Sequence, residues 1–428
     1  MTAPGEDTGE SDTGDLLDFL DSSPSPWHAV ESATARLVRA GFQPLSGTAT
    51  WSDVPAAGFV VRGGSLIAWR RGHNPSPAAT LRIVGAHTDS PGLRVKPRPD
   101  SGLLGWRQLG VEVYGGALLN SWLDRDLGIA GRIALAGGSF ADVVVKAPVC
   151  RVPQLAIHLD RDVNERGVVL DKQLHLSPVW GTGTATDGDF AAWLSVQADV
   201  PVGDIAGWEL CLFDLSPATV LGADASLIAS ARLDNQVSCW AAVDALCAAE
   251  PNECTAVIAL FDHEEVGSAS TTGAAGPLLE QVLERLALAS GADRGQFLTQ
   301  LAGSSCVSAD GAHAVHPNYP ERHDPDHRPQ VNHGPAIKLN SNQRYATTAA
   351  TAAMLQRVFD SAEVPWQLFV SRNNVPCGST IGPITATRLG IDTVDVGVAQ
   401  LSMHSARELC GAQDPGWFAI GLSHYLSE

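Results

Sequence analysis

The chain has 428 residues, of which 44% are hydrophobic and 18% are charged, and its formal net charge is −19. This length is too great for one simple core, so we expect one large domain and a second one. The negative charge argues against nucleic acid and anionic membrane surfaces as partners, although a local pocket can still oppose the global field.

The N-terminal segment is dense in acidic residues, and residues 1–14 are predicted to be disordered. It lacks a basic region followed by an apolar run, so no secretory signal is predicted. No run of about 18 apolar residues predicts a transmembrane helix. The eight cysteines are scattered without a CxxC pair. This pattern indicates reduced, buried thiols and a cytoplasmic protein.

Helical segments and short apolar strands alternate along much of the chain. Helical periodicity covers residues 15–43, and FVVRGGSLIAWRR predicts a hairpin that turns at its two glycines. LRIVGAH at 81–87 is an apolar strand that runs straight into a histidine. The scheme of a strand followed by a polar tip recurs in TAVIALFDHEE, SSCVSADGAH, PAIKLNSNQ and TVDVGVAQLSMHS. Further helices are predicted in ASARLDNQVSCWAAVDALCAAE and DPGWFAIGLSHYL.

This alternation predicts an α/β fold with a mixed, largely parallel sheet flanked by helices. Polar residues collect at the carboxyl ends of the strands, where such sheets form sites. Residues 96–226 differ, because strand-like runs dominate there and helical periodicity is scarce. We expect them to form an inserted β-rich domain that interrupts a catalytic domain made of residues 1–95 and 227–428.

Five distant segments each carry one or two potential metal ligands. The candidates are His87 in GAHTDS, Asp234 in RLDNQ, Glu264 and Glu265 in FDHEEVGS, Asp310 in SADGAH, and His404 in SMHSARE. They supply two His, two Asp and one Glu as ligands, with one Glu left over. Two neighbouring cations need a shared carboxylate, terminal His and carboxylate ligands, and a free base that deprotonates the water between them. The set predicts a two-metal hydrolase.

Some of these segments leave alternatives open. Asp234 alone could simply cap a helix, and Asp89 in the HxD pair could fix the ring of His87 or the geometry of its loop. Of Glu264 and Glu265, one is needed as a ligand and one as the free base, and their spacing does not decide which is which.

The segment after Asp310 offers a second histidine pair. His313 and His316 form an HxxH that could bind metal on a helix. The proline directly after His316 indicates a loop instead. We therefore favour Asp310 as the ligand and His313 as a pocket residue.

The chain resembles the aspartyl aminopeptidases, which are cytosolic exopeptidases with two metal ions. Matching segments run nearly from end to end: SPSPWHAVESATARL, GFQPL, GAHTDSPGLRVKP, AIHLDRDVNERG, RLDNQ, FDHEEVGS, SADGAHAVHPNYPE, KLNSNQRYAT, PCGSTIGPI and MHSARE. The resemblance implies a metallopeptidase-type fold in which the insertion is a dimerisation domain, and homo-oligomers built from dimers into a tetrahedral dodecamer. It also implies peptide substrates with an N-terminal Asp or Glu, and two divalent cations per subunit. Zinc is favoured, and manganese or cobalt are alternatives.

The resemblance also implies roles for individual residues. His87, Asp234 and Asp310 would hold one zinc, Asp234, Glu265 and His404 would hold the other, and Glu264 would be the general base. His158 in AIHLDRD would reach the active site of the neighbouring subunit and stabilise the oxyanion there. Lys338 and Tyr345 would lie near the acidic side chain of the substrate; Lys338 is our candidate cation, and Arg344 and His313 are alternatives.

One position departs from the family pattern. Asn374 stands in RNNVPCGST where the family favours Asp, so a local hydrogen bond or loop contact is in doubt. Three other functions also fit the same metal chemistry or the same fold. They are an aminopeptidase acting on neutral residues, a two-metal amidase or deacylase of non-peptide substrates, and a catalytically silent oligomeric scaffold.

Overall fold

The structure is a computed structural model that describes residues 8–73, 76 and 79–428. Its helices are α1 (Thr8–Ser22), α2 (Pro26–Arg39), α3 (Val163–Arg166), α4 (Asp189–Ala198), α5 (Leu233–Ala248), α6 (Leu278–Ala289), α7 (Arg294–Ala302), α8 (Ala349–Ser361), α9 (Ile381–Leu389) and α10 (Asp414–Ser427). Its strands are β1 (Gln43–Pro44), β2 (Ala57–Arg62), β3 (Ser65–Arg71), β4 (Leu81–His87), β5 (Gly92–Leu103), β6 (Trp106–Tyr114), β7 (Leu127–Leu135), β8 (Phe140–Cys150), β9 (Val179–Thr182), β10 (Ile205–Asp214), β11 (Thr219–Leu221), β12 (Leu227–Ser230), β13 (Thr255–Phe261), β14 (Ser305–Ala309), β15 (Ala312–His313), β16 (Ala336–Leu339), β17 (Gln367–Val370), β18 (Asp392–Gly397), β19 (Ala399–Leu401) and β20 (Glu408–Gly411).

The central sheet has nine strands in the order β1-β2-β3-β13-β4-β14-β18-β16-β17. Its middle strands β13, β4, β14 and β18 run parallel, whereas β3 and β16 pair antiparallel with their inner neighbours. The predicted mixed, largely parallel sheet is therefore confirmed. Because parallel strands end at the same edge, the polar tips of β4, β13 and β14 meet there.

Helices cover both faces of this sheet. Side chains of β13 alternate in direction, so Ile258 and Leu260 pack under α1, α2, α5, α8 and α10, and Val257 and Phe261 pack under α6, α7 and α9. Every residue of β13 is buried, as expected for a strand covered on both sides. The sheet edge that carries the polar tips is thus supported by two packed layers.

The second sheet is antiparallel and has six strands in the order β8-β7-β10-β5-β6-β9, all taken from Gly92–Asp214. It has its own apolar core. A third, five-stranded sheet joins β11 and β12 to β20, β19 and β15. The inserted domain predicted for residues 96–226 remains a prediction. Strand pairing would place its limits near Gly92 and Asp214, because β11 pairs with β12 and not with the six-stranded sheet.

The N-terminal segment is partly helical, and the cysteines are unpaired. The prediction of disorder for residues 1–14 is wrong for Thr8–Gly14, which form the start of α1. That helix is held in place because Leu16 and Phe19 are buried against the core. Residues 1–7 lie outside the described residues. All eight cysteines are free thiols, as predicted. Within the described part of the chain, no helix is long and apolar enough to cross a membrane.

Candidate metal centre and substrate cleft

The five predicted ligand segments meet at the carboxyl edge of the central sheet. His87 is the last residue of β4, and Asp310 directly follows β14. Glu264 and Glu265 lie in a short 3₁₀ turn after β13. Asp234 lies at the start of α5, next to a cis peptide bond, and His404 lies in the loop between β19 and β20.

Asp234 lies between the two histidines. Its Oδ1 is 3.4 Å from Nε2 of His87, and its Oδ2 is 3.3 Å from Nε2 of His404. Asp310 extends the first group, with Oδ1 at 3.7 Å from Nε2 of His87. Glu265 extends the second, with Oε1 at 3.4 Å from Nε2 of His404. Asp234 is therefore placed to be shared by two groups of three potential ligands.

The donor set fits two metal ions. Ligands bound at about 2.1 Å around a tetrahedral zinc lie about 3.4 Å apart, which is close to the separations seen here. Oδ1 of Asp234 and Oε1 of Glu265 are buried without a hydrogen-bond partner in the structure. Buried carboxylate oxygens are costly unless they are paired or bind metal, so these two atoms fit the role of metal ligands.

The electrostatics of the cluster agree with that geometry. Burial alone would lower the pKa of His404, but hydrogen bonding to Asp234 and the charge of Glu265 raise it to about 10. Burial and the charge of Asp234 raise the pKa of Glu265 well above its usual range. Burial, with the carboxylates of Asp310 and Asp234, also raises the pKa of Glu264, to about 7. The cluster therefore concentrates negative charge that cations would neutralise.

Asp89 orients the turn that carries the two glutamates. Its Oδ1 accepts the backbone N–H of Glu264 at 3.0 Å, and its Oδ2 accepts that of Glu265 at 3.1 Å. Its backbone carbonyl lies 3.0 Å from Nδ1 of His87, and its Oδ1 lies 3.5 Å from the same atom. Both roles that the sequence left open for Asp89 are thus compatible with its position.

Glu408 was missed by the sequence analysis, although it lies in the same SMHSARE segment as His404. It is 2% exposed. Its Oε2 accepts the backbone N–H of Asp234 at 2.9 Å, and its Oε1 accepts that of His404 at 2.6 Å. One buried carboxylate therefore links two residues of the second ligand group. Its spacing of four residues from His404 was the available signal.

Replacing Glu408 with Gln should lower the affinity for the second metal ion by about tenfold or more, because residues that orient ligands commonly carry such effects. The amide can accept only one of the two N–H groups through its oxygen. Titration of the metal-free protein with zinc would measure this. Asp414→Asn is a matched control, because Asp414 is also buried and accepts N–H groups from Asn332 and Gly334. Equal losses in both variants would contradict a specific role.

The predicted substrate residues lie beside Asp310. Lys338 is 2% exposed, and its Nζ donates to the carbonyls of Asp310 at 2.9 Å and Gly311 at 3.2 Å. Nζ also lies 3.5 Å from Oδ2 of Asp310 and 5.0 Å from the ring centre of Tyr345. Lys338 lies one residue before the end of β16, and its side chain is buried. Its ammonium group therefore contacts Asp310 from the buried side of the strand.

A cleft of about 270 Å³ opens next to these residues. Tyr345, Phe369 and Met403 contribute to its walls, and among the described residues its lining contains no Asp or Glu. Its histidines and arginines are His313, His316, His323, Arg322 and Arg372. This cleft was not predicted as a whole, since its histidines and arginines come from separate segments of the chain.

Several other predicted residues lie outside the ligand cluster. His313 and His316 belong to none of the groups of three potential ligands found among the described residues. Arg344 is exposed and donates through Nε to the carbonyl of Gly378 at 3.3 Å. His158 is exposed in a 3₁₀ turn, Ile157–Leu159, and Asn374 is exposed in a turn beside the cleft residue Val375.

Two His-carboxylate groups with a further glutamate beside them are the donor set of a metal-dependent hydrolase. The family model described as "Aminopeptidase I zinc metalloprotease (M18)" matches residues 19–422. The chain therefore belongs to the M18 family of zinc metallopeptidases and is an aminopeptidase of that family. The resemblance found in the sequence is confirmed at this level.

Similar proteins cover essentially the whole chain. A probable M18 family aminopeptidase 2 of Streptomyces coelicolor is 51% identical over 100% of both chains. The structure of Ape4 in its complex with Nbr1 matches with a TM-score of 0.94 and 36% identity, over 98% of this chain and 86% of that one. The S. cerevisiae mApe1 dodecamer matches with a TM-score of 0.84 and 29% identity, over 96% and 95% of the two chains.

Proposed function

We propose that this M18 aminopeptidase removes N-terminal Asp and Glu residues from peptides by means of a metal-activated water. The observation that carries this specificity is the cleft beside Asp310, whose described lining has three histidines and two arginines but no carboxylate. Burial lowers the pKa values of His313 and His323, so in a chain of net charge −19 the two arginines are the groups that favour an acidic side chain in this cleft.

Two groups of side chains would hold the metal ions: His87, Asp234 and Asp310 form the first, and Asp234, Glu265 and His404 form the second. The ligand separations and the unpartnered oxygens support this assignment. The donor set supports two ions, and the family description supports zinc over manganese or cobalt. When bound, such ions lower the pKa of water and polarise the scissile carbonyl.

Glu264 is proposed as the general base that takes the proton of the attacking water and delivers it to the leaving amine. Asp89 holds the backbone of Glu264. Glu264 also lies in a third group of potential ligands, with His87 and Glu265, but those two residues are already used in the two groups assigned to the ions, which leaves Glu264 for the base. Glu265, 3.4 Å from His404, takes the ligand role.

His158 is proposed to act in the active site of a neighbouring subunit as an oxyanion donor. Its turn exposes the apolar side chains of Leu155, Ile157 and Leu159 by 57%, 45% and 74%. Exposed apolar groups of this kind mark contact surfaces. A homo-oligomer, such as a dodecamer built from dimers, would cover them, and the S. cerevisiae mApe1 structure is a dodecamer. Free thiols throughout the chain support a cytoplasmic location.

Hydrolysis of aminoacyl chromogenic substrates tests the specificity. With a panel of Asp, Glu, Leu, Ala and Lys derivatives, we expect cleavage of the Asp and Glu substrates alone, and its loss after treatment with a chelator. Cleavage of Leu or Ala derivatives instead would keep the aminopeptidase and replace the acidic specificity with a neutral one.

Arg372→Gln should lower kcat/KM for the Asp substrate by roughly threefold to tenfold, because an exposed ionic contact contributes about 1 kcal/mol. Arg372 lines the cleft and is exposed. Arg357→Gln, on the exposed face of α8, is the matched control. A loss of the same size for every substrate that is cleaved would show that Arg372 does not recognise the acidic group.

A further inference from the structure

The end of β6 connects the six-stranded sheet to the catalytic turn. The hydroxyl of Tyr114, the last residue of β6, donates to Oδ2 of Asp89 at 2.6 Å. The same carboxylate accepts the backbone N–H groups of Glu264 and Glu265. Asp89 is fully buried. One hydroxyl group from the second sheet therefore contacts the carboxylate that orients both glutamates.

The glutamate turn depends on that carboxylate. Glu264–Val266 form a single 3₁₀ turn, and His263 before it has a φ of +67°, a backbone conformation that is uncommon for residues other than glycine. The first N–H groups of a helical turn have no partner within it. Asp89 supplies the partner for two of them. A small rotation of the turn would redirect both glutamates together, so the position of Asp89 sets the direction of Glu264.

Tyr114 is itself held in place. The guanidinium carbon of Arg94, on the adjacent strand β5, lies 3.6 Å from the centre of the Tyr114 ring, a cation–π contact. The next residue, Gly115, has a φ of +66°, and a Cβ there would lie 3.1 Å from Cβ of Glu265. The carbonyl of Gly116 lies 3.1 Å from Nδ1 of His404. Tyr114 and Gly116 therefore contact Asp89 and His404, and Gly115 between them runs close to Glu265.

We propose that Tyr114 is a positioning residue whose hydroxyl fixes Asp89 and thereby aims Glu264 at the reacting water, with Arg94 holding the Tyr114 ring. This inference rests on the proposed role of Glu264 as the base. In this role Tyr114 acts through Asp89, which its hydroxyl contacts directly.

Tyr114→Phe removes the hydroxyl and keeps the ring. We expect kcat to fall by about tenfold, the size of a lost hydrogen bond to a charged group, with KM and bound metal unchanged. Tyr425→Phe is the matched control, because Tyr425 is also buried and its hydroxyl pairs with Ser305 at 2.8 Å, away from the site. This control should lower Tm as Tyr114→Phe does, but it should leave kcat unchanged.

A double-mutant cycle with Asp89→Asn separates positioning from general destabilisation. If Tyr114 acts through Asp89, Tyr114→Phe should change kcat by less than about twofold once Asp89 is Asn. Arg94→Lys, which keeps the charge but loses the planar stack, should show a smaller loss of kcat that also vanishes in that background. This variant decides the matter if Tyr114→Phe does not fold.

Two results would overturn the proposal: wild-type kcat in Tyr114→Phe, or a tenfold loss that persists in the Asp89→Asn background. The assay uses whichever aminoacyl substrate the wild-type enzyme cleaves best, so a different specificity would not affect it. If Glu264→Gln retained activity, the base assignment would fail, whereas coupling between Tyr114 and Asp89 would still be measured.

Discussion

Glu264→Gln is expected to lower kcat by about a thousandfold, in the range of losses seen when a general base is removed. The amide has the shape of the carboxylate but accepts no proton at neutral pH. Because Glu264 belongs to neither group of three assigned to the ions, zinc content should stay at the wild-type level. Measurement of kcat, KM and zinc per subunit on the same preparation would test all three expectations.

The neighbouring glutamate makes this prediction specific. Glu265→Gln should lower zinc content as well as kcat, because Oε1 of Glu265 lies 3.4 Å from Nε2 of His404 in the second group. Glu250→Gln, at an exposed position after α5, should change neither. Loss of zinc in Glu264→Gln, with zinc retained in Glu265→Gln, would mean that the two roles are reversed.

The meeting of the candidate ligands at the carboxyl edge of the central sheet could be predicted from the sequence, because several of them directly follow an apolar strand. LRIVGAH places His87 at the end of a strand whose residues are mostly buried, and β13 ends three residues before Glu264. Parallel strands bring such ends together. Local periodicity and this topological rule were therefore sufficient to predict one site from segments more than 150 residues apart.

The supporting contacts could not be predicted in the same way. Glu408 meets Asp234 across 174 positions, and Tyr114 meets Asp89 from a different sheet. No periodic pattern in the sequence indicates either contact, because each depends on how loops and sheets pack in three dimensions. Lys338 shows the same limit, because its strand was predicted but its contacts with the carbonyls of Asp310 and Gly311 were not.

His158→Ala is expected to lower kcat by roughly a hundredfold or more, the size of losing one oxyanion donor, while zinc content stays unchanged. His158 is exposed, and its turn carries exposed apolar neighbours, so the substitution should cost little stability within the subunit. His424→Ala, at an exposed position on α10, is the control and should retain full activity. A His158→Ala enzyme with near-normal turnover would remove this role.

Mixed oligomers test whether His158 acts across a subunit boundary. His158→Ala and Glu264→Gln subunits are each expected to be nearly inactive on their own. When they are dissociated and reassembled together in equal amounts, a site regains both groups if its own chain carries Glu264 and its neighbour carries His158. Random assembly in a closed, symmetric oligomer gives this arrangement at about a quarter of the sites, so about a quarter of wild-type kcat should return. No recovery, in oligomers shown to contain both subunits, would mean that His158 does not act in the neighbouring site.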